Sequence, residues 1–343
     1  MSPPAQFPLR KLGRNGPLVP ALGFGLMGLS AYYGDVDSVE ERLKVLDRAY
    51  ELGETFWDSA DIYGDSEELI GKWFKKTGKR DDIFLGTKFG NIIDENWNVT
   101  VNSTKEHVRS AWEKSAGRLG VECVDLYYCH RVDGVTPIEE TVGEMVRLKN
   151  ERKIKYLGLS EVSAQTLRRA CAVHHIDAVQ MEYSPFCLDI EDPTIALLKT
   201  CRELGVATVA YSPLGRGFLT GSIRTRADFS PNDFRSFAPR FSKENFPKNL
   251  ALVDSLTSIA TRKNCTTGQL SLAWLLAQGK DVIPIPGTKK VKYLEENLRA
   301  LDVVLSDEEV REIRGLLEGV EVCGTRYPEA YMGMVFGDTP ELK

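Results

Sequence analysis

The chain has 343 residues, 42% of them hydrophobic and 27% charged; these are globular proportions with enough apolar surface for a core, and they exclude disordered and fibrous classes. A formal net charge of −5 and the absence of any dominating Lys/Arg cluster leave no electrostatic footprint for nucleic acid. No run of about eighteen or more apolar residues is present, and the start MSPPAQFPLRKLG lacks the apolar stretch of a secretory signal, so the expectation is a cytoplasmic protein with no membrane partner.

In chain order, Leu9 to Leu12 and Leu18 to Val19 flank Asn15-Gly16, a dipeptide that tolerates positive φ. This predicts a short hairpin over about 7–20 that plugs the end of the structure that follows. Eight apolar runs rich in β-branched and aromatic residues come next: Ala21 to Gly25, Thr55 to Ala60, Ile83 to Phe89, Val124 to Cys129, Ile154 to Leu159, Ala178 to Tyr183, Val206 to Tyr211 and Val282 to Ile285. Between the first two, Val39, Leu43, Leu46 and Tyr50 fall at helical spacing; between the fifth and sixth, Leu167, Ala170, Cys171 and His174 do the same. The alternation predicts an α/β fold, a (β/α)₈ TIM barrel over about 21–318 within one domain spanning 1–343. Two stretches break the rhythm, Leu214 to Lys248 and the tail 319–343. Structureless segments of that length usually carry function, and in a barrel enzyme the loops leaving the strand C-termini build the site, so both are expected at that face.

Seven cysteines, at Cys123, Cys129, Cys171, Cys187, Cys201, Cys265 and Cys323, form no C-x-x-C pair. They predict neither a metal site nor a disulfide framework. Gly23, Gly25 and Gly28 form a G-x-G-x-x-G after the first strand, a pattern that by itself suggests a dinucleotide site on an open sheet. Asp58 ends the second strand where a ribose-binding acid would sit, but that reading requires a sheet that does not close and leaves Tyr63, Lys88 and His130 without a role. H-E-x-x-H, G-x-S-x-G and P-loop motifs are absent.

Four residues that could carry chemistry are Asp58 and Tyr63 in D-S-A-D-I-Y-G, Lys88, and His130, at or just beyond the ends of the second, third and fourth predicted strands. Singly they read as a capping aspartate, a loop tyrosine, a solvated lysine and a core histidine. Together they place four different groups at one rim of one barrel, which chance rarely supplies.

With these residues the chain resembles the aldo-keto reductase family from about Leu9 to about Leu317. The landmarks are L-G-F-G at 22–25, D-S-A-D-I-Y-G at 58–64, T-K at 87–88, D-L-Y-Y-C-H at 125–130, G-L-S at 158–160, Q-M-E-Y at 180–183, A-Y-S-P-L-G at 210–215 and I-P-G-T at 285–288. The H-R-V-D and G-L-S-E variants look most like the subgroup of plant perakine reductase and fungal and bacterial aldehyde reductases. The resemblance implies a catalytic tetrad of Asp58, Tyr63, Lys88 and His130, and NADPH-dependent reduction of a small aldehyde or ketone to the alcohol. Tyr63 is then the proton donor. A free tyrosine has a pKa near ~10, and the Lys88 ammonium is expected to lower it, with Asp58 keeping Lys88 ionised and His130 orienting the carbonyl. A positioned general acid contributes roughly 10²–10⁴-fold, about 3 to 5 kcal/mol of barrier.

The resemblance also implies a cofactor site. Ser160 and Gln180 match positions that hold the nicotinamide carboxamide, and Tyr211 the ring stacked on the nicotinamide. Ser212, Leu214, Gly215 and Arg216 match the pyrophosphate segment, and Gly25 and Met27 the ribose. Many relatives carry Asn after the serine; here Glu161 stands there, its role open. Gly287, Thr288 and Lys289 are expected to open a helix whose free amides suit the adenosine phosphate, aided by Lys290 and Lys292. Tyr293 stands where many NADPH-preferring relatives have arginine, and Glu296 and Asn297 resemble adenine contacts. Loops Asn91 to Asn102 and 319–343 are expected to line the substrate pocket, with Tyr32, Trp97, Tyr331 and Phe336 as candidate walls. The rival class is a nucleotide-binding regulatory subunit on the same fold, like the β subunits of potassium channels, which carry long N-terminal extensions. Here the hairpin starts within ten residues, which favours the enzyme. Substrate identity and oligomeric state stay open.

Overall fold

The computed structural model describes residues 7–94, 98–230 and 232–343. A hairpin of β1 (Leu9–Lys11) and β2 (Leu18–Pro20) leads into β3 (Phe24–Gly25), β4 (Phe56–Asp58) and β5 (Phe84–Phe89). A small antiparallel pair follows, β6 (Asn91–Ile93) with β7 (Val99–Val101). The remaining strands are β8 (Val124–Cys129), β9 (Ile154–Ser160), β10 (Ala178–Glu182), β11 (Ala207–Tyr211) and β12 (Val282–Pro284). Eight of these make one parallel sheet in the order β12-β11-β10-β9-β8-β5-β4-β3.

The two edges of the sheet meet. The Gly23 N–H donates to the Pro284 carbonyl at 2.9 Å, and the Gly25 N–H to the Pro286 carbonyl at 3.1 Å. A parallel sheet closed this way has no free edge, and the TIM barrel is the result. Closure also explains the glycines that imitate a dinucleotide motif. A Cβ on Gly25 would lie 2.7 Å from the Ile285 carbonyl oxygen, and one on Gly23 would lie 2.8 Å from the Phe56 ring. They are small because strands meet there.

Side chains alternate along each strand. Leu126 and Tyr128 of β8 face a barrel interior shared with Phe56, Ala178, Ala207, Val209 and Ile283. Tyr127 and Cys129 face the surrounding helices. Leu12 and Val19 of the hairpin join the interior cluster, so the hairpin plugs the barrel's N-terminal end. Its turn differs from the expected tight reversal at Asn15-Gly16. The loop is closed by the Leu12 N–H donating to the Pro17 carbonyl, and the left-handed residue is Gly13, at φ +72°.

The crossover helices begin where short polar side chains take over unpaired amides. Ser38, Thr104, Ser163, Thr266 and Ser306 each accept from the N–H three residues on. Residues 214–248 are more ordered than expected. Four 3₁₀ turns run from Phe218 to Phe241, the helix Phe246–Arg262 begins inside the stretch, and Phe186, Phe218, Phe229, Phe241 and Phe246 interlock as ring pairs. The tail crosses the same face. Gly337 bridges to Val162, and the Asn249 side chain grips the Cys323 backbone at both N–H and C=O.

Candidate active site

Asp58 is the last residue of β4, Lys88 lies in β5, and His130 follows β8, its N–H donating to the Phe89 carbonyl at 2.7 Å. Neighbouring strands thus deliver the three side chains to one rim. The Lys88 ammonium donates to Asp58 Oδ1 at 2.5 Å and to the Ser59 carbonyl at 2.6 Å, and both side chains are buried. The second Asp58 oxygen accepts from Gln180 Nε2 at 2.8 Å. Lys88 Nζ sits 4.9 Å from the centre of the Tyr63 ring, which meets the His130 ring edge-on at 5.8 Å. Among the described residues, no protein group hydrogen-bonds the Tyr63 hydroxyl, and His130 Nδ1 is buried without a partner.

Burial governs the ionisation of this group. It raises Asp58 and lowers Lys88, each pulled back by the other's charge. The pair therefore behaves as one nearly neutral unit. Burial likewise raises Tyr63 well above the ordinary phenol value, with Asp58 and Tyr32 adding to the rise and Arg131 opposing it. The phenol is thus raised where lowering by Lys88 was expected, because burial outweighs the ammonium and Asp58 beside it offsets its charge. Burial, then the Arg131 and Lys88 charges, hold His130 far below its usual value, so the ring is neutral at working pH. The site presents a neutral phenol and a neutral imidazole.

Ser160 ends β9 and aligns in register with Gln180 of β10, as Glu182 does with Tyr211 of β11. Ser160 Oγ accepts from Arg131 Nη1 at 3.1 Å. Beyond β11 the backbone enters the left-handed region at Ser212, Gly215, Arg216 and Gly217, coiling the segment tightly, with Leu214 buried inside it. Gly25 closes on Gly287, and Met27 starts the short helix behind it. Gly287, Thr288 and Lys289 precede a helix rather than open one: it spans Val291–Leu298, since Thr288 Oγ1 takes the Lys290 N–H and holds the preceding segment in a turn. Lys289 donates to the Tyr33 and Asp35 carbonyls and Lys290 pairs with Asp37 at 3.0 Å, tying this segment to residues 33–37; Lys292 and Tyr293 are exposed. Asn297 is buried, whereas Glu296 meets Gln269 through its backbone carbonyl.

Tyr32 stands beside the tetrad, its ring edge-on to Tyr63 at 6.3 Å. Phe336 packs under the Arg326 guanidinium, 5.0 Å away, and Tyr331 lies half-buried on the one-turn helix Glu329–Met332 of the tail. Trp97 lies outside the described residues.

A buried charge network borders the site. Glu161, in left-handed backbone at φ +51°, pairs with Arg326 of the tail at 2.9 Å and accepts the Tyr211 hydroxyl at 2.7 Å. Glu182 takes Arg216 at 3.2 Å and Arg240 at 3.3 Å, and the Tyr327 hydroxyl meets that of Tyr211 at 3.2 Å. The arginines of 214–248 are therefore largely committed within the protein, Arg235 to Asp233 and Arg224 to Asp254 included. Sequence reasoning left Glu161 open and missed Arg131, Glu182, Arg326 and Tyr327. The one available signal was the uncommon Glu161, a buried carboxylate that required a cation from elsewhere.

Residues 21–318 match the Aldo/keto reductase family. The chain is 57% identical to the aldo-keto reductase str7 of Strobilurus tenacellus over 98% of both chains. It is 53% identical to the aldo-keto reductase yakc [NADP(+)] of Schizosaccharomyces pombe, again over 98% of both. Among solved structures it resembles the glycerol dehydrogenase AKR11B4 of Gluconobacter oxydans, with a TM-score of 0.81 and 26% identity, over 92% of this chain and 97% of that one. A thermostable aldo-keto reductase in complex with the inhibitor epalrestat gives a TM-score of 0.72 and 30% identity, over 90% of this chain and all of the other.

Proposed function

Because this chain belongs to the aldo/keto reductase family, and is an NADP-dependent oxidoreductase of that family, we propose that it reduces a small aldehyde or ketone to the alcohol with Tyr63 as general acid. The observation that carries this reading is the Tyr63 ring, edge-on to a neutral His130 and 4.9 Å from the ammonium of a buried Lys88–Asp58 pair.

The residues present fit a nicotinamide nucleotide. Ser160 ends β9, Gln180 lies beside it within β10 and Tyr211 ends β11; among the described residues Ser160 Oγ accepts from Arg131, which leaves a carboxamide hydrogen-bonding room there and a ring an aromatic face. When bound, the reduced nicotinamide supplies the hydride to the carbonyl carbon. Tyr63 donates its proton to the oxygen as negative charge grows there, and neutral His130 donates a second hydrogen bond that fixes the carbonyl's direction. A raised tyrosine pKa does not defeat the transfer. An aliphatic alkoxide is far more basic than a phenolate, so the phenol remains the stronger acid of the two. Asp58 and Lys88 hold the ring's surroundings fixed, so little reorganisation accompanies the step.

Ser212, Leu214, Gly215 and Arg216 serve the pyrophosphate, Gly25 and Met27 the ribose, and Glu296 and Asn297 the adenine. Gly287, Thr288 and Lys289 take the 2′-phosphate, which makes NADPH the preferred nucleotide. Lys289 and Lys290 now bond two backbone carbonyls and the half-buried Asp37, and a phosphate dianion offers both ammonium groups a more highly charged partner.

The test is sustained oxidation of NADPH by the purified protein with 4-nitrobenzaldehyde. We expect many turnovers per protein molecule, one alcohol formed per NADPH consumed, and slower turnover with NADH. A single stoichiometric burst or none would favour the nucleotide-binding regulatory class.

A further inference from the structure

Six lysine or arginine side chains are buried among the described residues: Arg42, Lys88, Arg131, Arg216, Arg240 and Arg326. Five of them have a carboxylate within ion-pairing distance, Asp65 for Arg42, Asp58 for Lys88, Glu182 for Arg216 and Arg240, and Glu161 for Arg326. Arg131 has none. Its Nη1 donates to the His130 carbonyl at 2.6 Å and to Ser160 Oγ at 3.1 Å, both uncharged, and its other donors have no protein partner among the described residues.

The nearby acids are otherwise engaged. Asp133, two residues along, spends one oxygen on the N–H groups of Val135 and Thr136 and the other on the Ser103 N–H and the Thr136 hydroxyl. Glu161 gives its oxygens to Arg326 and to the Tyr211 hydroxyl. Arg131 thus has no carboxylate bonded to it: Glu161 supports its charge only from a distance while bonding Arg326, so the remaining guanidinium donors are open to a carboxylate that arrives from outside.

The position of Arg131 says which charge. It follows His130 in sequence, touches Ser160, and its field reaches Tyr63, Tyr211 and Tyr327. It therefore borders the space in which a carbonyl oxygen meets Tyr63 and His130.

We propose that Arg131 is a specificity-determining residue that binds a carboxylate on the substrate, so that the preferred substrates are oxo acids with the carboxylate a few atoms from the reacting carbonyl. The proposal rests on the reductase reading above. A guanidinium suits the task because its planar donors engage a carboxylate in two parallel hydrogen bonds, which orients the molecule as well as attracting it.

The experiment compares ω-oxo acids of two to six carbons with their methyl esters, using the full chain, NADPH, and 4-nitrobenzaldehyde as a neutral control. The ester keeps the carbonyl and removes the charge. For at least one chain length, wild-type kcat/KM should favour the acid over its ester by about tenfold or more, the range of a charge-assisted contact. In Arg131→Met that ratio should fall about tenfold or more, chiefly through KM, and Arg131→Lys should recover part of it.

An acid-to-ester ratio near one at every length in the wild type overturns the proposal without need of any variant. Equal losses for acid and ester in Arg131→Met also overturn it and make the residue a general electrostatic support of the oxyanion. A loss confined to NADPH affinity overturns it in favour of a nucleotide contact. Failure to reduce 4-nitrobenzaldehyde as well as every oxo acid and ester would overturn the reductase reading, and this proposal with it.

Discussion

Glu54, just before β4, is buried at 1% exposure, and its Oε2 has no partner among the described residues. Burial alone lifts its pKa well above the ordinary carboxylate range. The folded state therefore holds this proton to higher pH than the unfolded chain does. Between the unfolded pKa, near ~4.3, and the raised folded value, the folded form binds more protons, and stability falls as pH rises through that window. Replacing the carboxyl with an apolar side chain of similar length removes the penalty. Glu54→Met should stabilise the protein at pH 7 by about 1 to 3 kcal/mol, and the gain should shrink as pH approaches 4. Urea unfolding at several pH values checks this; a gain independent of pH would mean that the carboxyl is not the cause. The tetrad shows the same contest between burial and charge. Lys88 looked able to lower Tyr63 so long as it was considered alone, but the Asp58 oxygen 2.5 Å away makes the two a nearly neutral pair as seen by the phenol.

At the scale of elements, the tail is locked down by one residue. Arg326 lies buried between Glu161, Glu182 and Asp189, and its backbone carbonyl accepts from Arg216. Removing the cation leaves Glu161 buried and uncompensated, which in comparable pairs costs about 3 to 5 kcal/mol. We expect Arg326→Met to lower stability by that order and to speed proteolysis within 319–343. Thermal and urea unfolding together with timed digestion decide it, and a loss below about 1 kcal/mol would show that the pair contributes little net stability. This network was the part least legible in the sequence. The barrel strands could be read because each needs only its own run of apolar residues, and Val124–Cys129 matches the prediction residue for residue. Arg326 and Glu161 are 165 positions apart, and no local pattern reports that a tail arginine will be buried against the end of β9. The helix expected from Gly287 begins at Val291 for a related reason: the glycine is needed for the close approach to Gly25, where a Cβ would lie 2.5 Å from its carbonyl oxygen.

For the whole molecule, closing the barrel does the chemical work of assembly. β4, β5 and β8 are adjacent in the sheet and carry Asp58, Lys88 and His130 to one rim, while the hairpin seals the opposite end, with the Arg10 guanidinium donating to the Leu276 and Gly279 carbonyls at 2.6 Å each. None of the described helices is long and apolar enough to cross a membrane. That three separate chain segments bring four side chains together around the Tyr63 hydroxyl is the central claim, and one substitution addresses it. In Tyr63→Phe the ring packing against His130 and Tyr32 is kept and only the proton is lost. The account predicts that kcat for 4-nitrobenzaldehyde falls by roughly 10²-fold or more while the NADPH dissociation constant, read by fluorescence quenching, stays within about twofold of wild type. A variant that retains more than about a tenth of wild-type kcat would contradict it, because another group would then be protonating the carbonyl oxygen.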